Sequence, residues 1–203
     1  MRLILWHGAA SFKRGRVRSS ATGPEGPNTM RNLEAKFRLD DPDGARRAAL
    51  ALGYTAGAGF IQRDTFFVVA RGKLKLREQP PEAWLIHYER DRESGLMLSR
   101  YEIVPVADPT HTREMLARAL GVLAEVRKHR TLLTRRNVRL HLDRVETLGG
   151  FGEIEALLGE GSEQEAGAGA SGARTAVDEL LGALGVGARD LIEVSYFELM
   201  AGR

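Results

Sequence analysis

The chain has 203 residues, 43% hydrophobic and 28% charged, which suits one globular domain with a substantial core. It contains no cysteine, so disulfides, zinc–thiolate centres and cysteine nucleophiles are excluded, and a cytoplasmic setting is expected. Residues 1–29 carry Arg2, Lys13, Arg14, Arg16 and Arg18 against Glu25, a net of +4, which leaves 25 basic and 26 acidic side chains, a net of −1, in the rest. The sequence pI of 9.4 therefore reflects the first residues, and no nucleic-acid partner is implied.

Residues 1–29 are expected to form a disordered basic leader. Leu3-Ile4-Leu5-Trp6 is too short for a secretory signal core, and the basic cluster follows it instead of preceding it. A transit peptide has this composition, but the domain pattern begins directly after Met30, which makes Met30 the expected natural start and the leader an extension. No run approaches the roughly 20 apolar residues of a membrane helix, so no membrane partner is expected.

Asn32-Leu33-Glu34-Ala35-Lys36-Phe37-Arg38 alternates strictly, with polar residues on one parity and apolar residues on the other, the period of a strand with one apolar face. Asp41-Pro42-Asp43 opens a helix that runs to about Leu52 and stops at Gly53. Strands are expected over residues 60–70, 73–77, 84–90 and 98–106, the last two joined by a turn at Glu93-Ser94-Gly95. A helix follows from Pro109 to about Leu120, capped by Asp108 and ended by Gly121. Residues 122–134 and 136–143 read as a hairpin and 151–158 as a last strand. Residues 159–173 look like a flexible insertion, with two short helices after it at about 174–185 and 189–200. About eight strands, antiparallel by hairpin logic, with a few helices define an α+β chain.

Several strands repeat the first one's polar face. Lys73, Lys75 and Arg77 share a face, as do Lys128 and Arg130, as do Arg139, His141 and Asp143, while Glu153 and Glu155 flank Ile154. Any one of these alone is an ordinary solvated exterior. As a set they cluster cations by strand and keep carboxylates compact, and the opposite face is apolar at Leu74, Leu76, Val138, Leu140 and Leu142. Helices can cover that apolar side, and the charged sides then line a barrel interior. Facing cations repel unless a polyanion neutralises them, and carboxylates beside them suit Mg²⁺ or Mn²⁺.

These segments resemble, in order, those of the CYTH superfamily of class IV adenylyl cyclases, thiamine triphosphatases and inorganic triphosphatases. The similarity runs through Asn32-Leu33-Glu34-Ala35-Lys36, Gln62-Arg63-Asp64-Thr65-Phe66-Phe67, Gly72 to Glu78, Leu85 to Arg90, Val126 to Arg130, Asn137 to Asp143, Leu148 to Glu155 and Ser195-Tyr196. The resemblance implies a closed eight-stranded antiparallel β-barrel, the triphosphate tunnel, with helices packed outside. It implies metal ligands at Glu34, Asp143, Glu153 and Glu155, and catalytic roles for Glu34, Lys36, Glu153 and Glu155. It implies phosphate contacts from Lys36, Arg38, Lys73, Lys75, Arg77, Arg90, Lys128, Arg130 and Arg139.

Asn32 stands where the family motif has its first glutamate, and this departure points to the cyclase-like branch. Met97 and Leu98 occupy a stretch where relatives often carry an arginine. The implied activity is metal-dependent conversion of ATP to cyclic AMP and pyrophosphate. The alternative is hydrolysis of inorganic triphosphate or thiamine triphosphate, and a non-catalytic polyphosphate or nucleotide binder ranks third because pure anion binding needs no carboxylate cluster. A monomer or homodimer is expected. His141 is expected to play a structural role on the tunnel face, and Trp84, Tyr88 and Tyr101 to be core or rim aromatics.

Overall fold

The computed structural model of the chain describes residues 30–93, 96–158 and 163–202, so the expected leader, 1–29, lies outside the described residues. Nine strands form one sheet: β1 (Met30–Arg38), β2 (Thr55–Ala56), β3 (Phe60–Phe67), β4 (Lys73–Gln79), β5 (Glu82–Glu93), β6 (Leu96–Pro105), β7 (Val122–Arg135), β8 (Val138–Val145) and β9 (Gly149–Leu157). Their order is β2-β7-β3-β4-β5-β6-β1-β9-β8, and a further pairing of β7 with β8 closes eight of them into a barrel. All of these pairings are antiparallel. The expected eight-stranded barrel is therefore present, with β2 added as a two-residue strand on β7. Closure removes the exposed sheet edges that would otherwise template aggregation.

Period-2 alternation sorts each strand between two interiors. Outward from β1, β8 and β9, Leu33, Ala35, Phe37, Leu140 and Ile154 join a core with α1 (Pro42–Ala51) and α3 (Glu163–Ala183). Asp41 caps α1 by accepting from the Gly44 N–H at 2.8 Å, and Asp108 caps α2 (Pro109–Leu120) by accepting from the His111 N–H at 2.9 Å, as the sequence predicts. Glu78 ties α2 to the barrel: it accepts from Arg63 at 2.8 and 2.7 Å and from Arg113 of α2 at 2.6 Å.

A short 3₁₀ turn (Ala188–Asp190) and α4 (Tyr196–Ala201) replace the single helix expected over 189–200. Part of the expected flexible insertion is helical: from Glu163 onward it forms the first half of α3. The buried stripe Ala173, Val177, Leu180 and Leu181 nucleates that helix, and extension through the alanines costs less than starting a new one. The glycines that suggested a loop are offset by this propagation.

Gly152 is fixed by a close approach. A Cβ there would stand 2.2 Å from the Phe37 ring, which is fully buried on the outer core. We predict that Gly152→Ala destabilises the domain by about 1–3 kcal/mol through overpacking, read as a lower urea midpoint at unchanged slope. A wild-type midpoint would show that the ring shifts freely.

Candidate active site

The barrel interior and its mouth form a cavity of about 800 Å³. Adjacent strands bring their polar parities together across it. Glu34 lies opposite Glu155 in the β1–β9 register and Lys36 opposite Glu153, while His141 of β8 also faces Glu153 and Arg139 faces Glu155. On the other side, Arg77 of β4 sits opposite Asp64 of β3, and Lys128 of β7 opposite Gln62. Seven inward cations, Lys36, Lys75, Arg77, Arg90, Lys128, Arg130 and Arg139, thus share the interior with the carboxylates Glu34, Asp64, Asp143, Glu153 and Glu155.

Burying so many charges costs several kcal/mol each unless they are paired, and the structure pairs them. Arg77 grips Asp64 through two hydrogen bonds of 2.8 and 2.7 Å, while Lys75 and Gln62 add bonds of 3.0 and 3.1 Å. Arg130 grips Asp143 through two bonds of 2.6 Å and reaches Glu153 at 2.8 Å. Lys128 and the Tyr196 hydroxyl also donate to Asp143, each at 2.9 Å. Arg90 donates to Glu34 at 2.6 Å, and the Ser99 hydroxyl donates to the same carboxylate at 3.1 Å. Lys36 stands 3.6 Å from Glu153, and Arg139 reaches Glu155 at 3.3 Å.

These surroundings fix the protonation states. Burial pushes the Asp64 and Asp143 carboxyls up, but Arg77 with Lys75, and Arg130 with Lys128, hold both well below the usual carboxylate range. Burial also opposes ionisation of Glu153, yet Lys36, the hydrogen bond of His141 and Arg130 keep it low. Burial, with Arg77 beside it, lowers the Lys75 ammonium to about 7, and burial with Arg130 lowers Lys128 to about 8. Burial and Arg130 shift His141 toward its neutral form. Burial and Asp143 push the Tyr196 phenol well above its ordinary value, so it remains a donor.

Not every expected residue reaches the cavity. Glu34, Lys36, Lys75, Arg77, Arg90, Lys128, Arg130, Glu153 and Glu155 all line it. Arg38 does not. It leaves the barrel end, lies exposed over the Phe151 ring at 4.6 Å and donates to the Leu148 carbonyl at 2.8 Å. Lys73 is held at the α4 end by Glu198 at 3.0 Å and the Phe197 ring at 4.9 Å. Asp143, expected as a metal ligand, does not line the cavity: it is buried in the wall, where Arg130, Lys128 and the Tyr196 hydroxyl donate to it. Arg139 does not line the cavity either and pairs with Glu155 at 3.3 Å. Strand parity gives the face correctly in all four cases but not the depth along the barrel axis.

The sequence reading missed Asp64 and Gln62 as site residues, although Gln62, Asp64 and Phe66 show the same alternation. It also missed α4 as a plug: Tyr196 takes the Lys36 ammonium over its ring at 4.6 Å, and Phe197 packs against Phe66 at 4.7 Å. No local pattern reveals a helix that enters a barrel end.

The donor chemistry of Glu34, Glu155 and Glu153 suits a hard divalent cation. A further oxygen is at hand: Asn32 is buried and donates to Glu155, while its own Oδ1 has no hydrogen-bond partner. Among the described residues no three carboxylate or histidine side chains are already drawn together as a metal cluster, because each glutamate is held by a cation.

A closed antiparallel tunnel lined by matched cations and carboxylates is the class this geometry defines. The CYTH domain family matches residues 30–176, and the chain belongs to it. The fold is similar to that of a Pyrococcus horikoshii protein at 23% identity, covering 83% of this chain and 98% of that one with a TM-score of 0.69. It is also similar to a candidate adenylate cyclase of Vibrio parahaemolyticus, 18% identical over 84% of this chain and 97% of that one at a TM-score of 0.68. A candidate adenylyl cyclase of Hippeastrum, described by a dominant triphosphatase activity, is 17% identical over 84% and 95% at 0.59. At such identities the likeness establishes the barrel alone. No curated protein matches the chain. Among the described residues no helix is long and apolar enough to cross a membrane.

Proposed function

We propose that the protein is a metal-dependent enzyme that binds a triphosphate in the barrel and cleaves one of its phosphoanhydride bonds. The observation that carries this reading is the convergence of Lys36, Lys75, Arg77, Lys128 and Arg130 with Glu34, Glu153 and Glu155 on one enclosed cavity. Enclosed cations aimed at a phosphate chain supply the electrostatic stabilisation that phosphoryl transfer needs. Glu34, Glu155 and Glu153, with Asn32 Oδ1, would hold Mg²⁺ or Mn²⁺. Bound there, such an ion would supply charge neutralisation at the phosphate oxygens and activation of the attacking oxygen.

The chain's own groups do the rest. Lys75, Arg77, Lys128 and Arg130 hold the phosphates in line. Arg90, which pairs with Glu34, and Arg139, which pairs with Glu155, would supply further donors to phosphate oxygens. Tyr196 and Asp143 keep Lys128 and Arg130 in place.

The first form of the reaction is cyclase-like, attack of the ATP 3′-hydroxyl on the α-phosphate with pyrophosphate leaving, and Asn32 favours it. The second is hydrolysis at the terminal phosphate of an organic or inorganic triphosphate. One panel decides between them: ATP, inorganic triphosphate and thiamine triphosphate, each with Mg²⁺ and Mn²⁺, scored for cyclic AMP, pyrophosphate and phosphate. We expect cyclic AMP with pyrophosphate from ATP. Phosphate without cyclic AMP replaces the cyclase form by the hydrolytic one, and binding without turnover removes the enzyme reading.

Anion binding is coupled to protons. Burial lowers the Lys75 and Lys128 ammonium groups to about 7 and about 8. A bound triphosphate raises both values, so the complex carries more protons than the free protein. Affinity then falls as pH rises above about 7. Calorimetry near pH 8 in two buffers of different ionisation heat should show uptake of about one proton per triphosphate bound. Zero uptake would place the anion away from these lysines.

A further inference from the structure

Each of the three glutamates suited to a divalent ion is already held by a cation of the barrel. Arg90 donates to Glu34 at 2.6 Å. Arg130 reaches one oxygen of Glu153 at 2.8 Å, and Lys36 stands 3.6 Å from the other. Arg139 stands 3.3 Å from one oxygen of Glu155, and the Asn32 amide donates to its second. The side chains of the three arginine–glutamate pairs are only 5% to 16% exposed, so salt and water screen them weakly.

The same cations face the cavity. Lys36, Arg90 and Arg130 all line it. They therefore have two competing uses, as counter-ions of the glutamates and as donors to an anion. The seven inward cations also outnumber the five inward carboxylates by two. A dication arriving alone meets that positive excess and finds the carboxylates already neutralised. Both effects oppose it, and the low dielectric of the interior strengthens both. A triphosphate carries more negative charge than the excess, and it competes with the glutamates for Lys36, Arg90 and Arg130.

Resting on the triphosphate reading above, we propose that the barrel's own cations lock its glutamates against divalent ions, so that Mg²⁺ or Mn²⁺ binds only together with a polyanion or after it. The anion and the ion are then positive effectors of one another. Linkage makes the coupling reciprocal: the factor by which the anion strengthens ion binding is the factor by which the ion strengthens anion binding.

The test follows Mn²⁺ binding by the electron paramagnetic resonance signal of the free ion, with thermal unfolding of the same samples. The anion is diimidotriphosphate, whose NH bridges resist hydrolysis, and the Mn²⁺ it holds without protein is subtracted. The wild-type protein should bind Mn²⁺ at least about tenfold more weakly alone than with the analogue. Arg90→Gln and Arg139→Gln each release one glutamate, and each should raise the affinity for Mn²⁺ alone about tenfold. Mn²⁺ alone should then raise the Tm of these variants and not that of the wild type. Arg77→Gln removes the same charge, but its partner is Asp64, so the gain should be smaller. The wild-type comparison decides even where a variant fails to fold. Mn²⁺ affinity that the analogue leaves unchanged, arginine variants no better than wild type, or an equal gain from all three overturns the lock and leaves the triphosphate reading standing. Binding of neither the analogue nor ATP overturns both.

Discussion

Glu153→Ala will lose turnover by about 10²- to 10³-fold while still binding triphosphate, because it removes an anion that the barrel otherwise keeps ionised among cations. Glu153 is buried between Lys36 at 3.6 Å, Arg130 at 2.8 Å and His141 at 3.5 Å. With the carboxylate gone, Lys36 and Arg130 are less neutralised, so affinity for a polyanion holds or rises even as the metal-dependent step fails. The measurement is kcat with Mg²⁺ and Mn²⁺ beside calorimetric titration of the same protein. Wild-type kcat in the variant would remove Glu153 from the chemistry. Loss of binding together with turnover would assign it to building the anion site instead.

Asp143→Ala will have the largest effect on stability, because Asp143 accepts from Arg130, Lys128 and Tyr196 with no exposed side-chain surface. Breaking a buried ionic network by removing one partner costs about 3–5 kcal/mol, since two cations remain in the wall without their counter-ion. For a domain of this size that is a fall in Tm of roughly 10 °C, at about 2–4 °C per kcal/mol. Added triphosphate should restore part of it by neutralising the same cations. Thermal unfolding with and without triphosphate reads both effects. A Tm within a degree or two of wild type would mean that solvent reaches the wall and compensates Arg130 and Lys128.

The linkage sign for Asp143 follows from its depressed carboxyl. Its stabilisation is fully present above the ordinary carboxylate value and is lost as pH falls through the lowered one. Acid lability should therefore begin below the ordinary aspartate range. Lys75 and Lys128 act oppositely: their folded values lie below the unfolded one of 10.5, so the cost of burying them is present at neutral pH and is relieved as pH rises from about 7 toward 10.5.

Much of the site was legible before the structure because a barrel strand has an exact side-chain period of two. Glu34 and Lys36, Lys75 and Arg77, Lys128 and Arg130, and Glu153 and Glu155 could be assigned to one face from parity, and each pair lines the cavity. Caps gave α1 and α2 to within a residue, because the Asp41 and Asp108 side chains satisfy local N–H groups. Asp64 and Gln62 carry the same signal in weaker form, since one carboxylate in a strand rich in Phe does not announce a charged interior.

What local pattern could not supply is position along the barrel axis and contact across it. Arg38 and Lys73 have the right parity and the wrong depth, because barrel stagger is a property of the closed sheet and not of any one strand. Asp143 has the right face but lies under cations contributed by β7, a neighbour that only the β7–β8 register identifies. The α4 plug and the extension of α3 by packing likewise depend on which elements meet. The amino-acid sequence by itself determined that charged and apolar faces would be separated, since alternation is local. The tertiary structure alone decided which charges neutralise each other and which remain turned toward the cavity, because that choice is made between strands far apart in the chain.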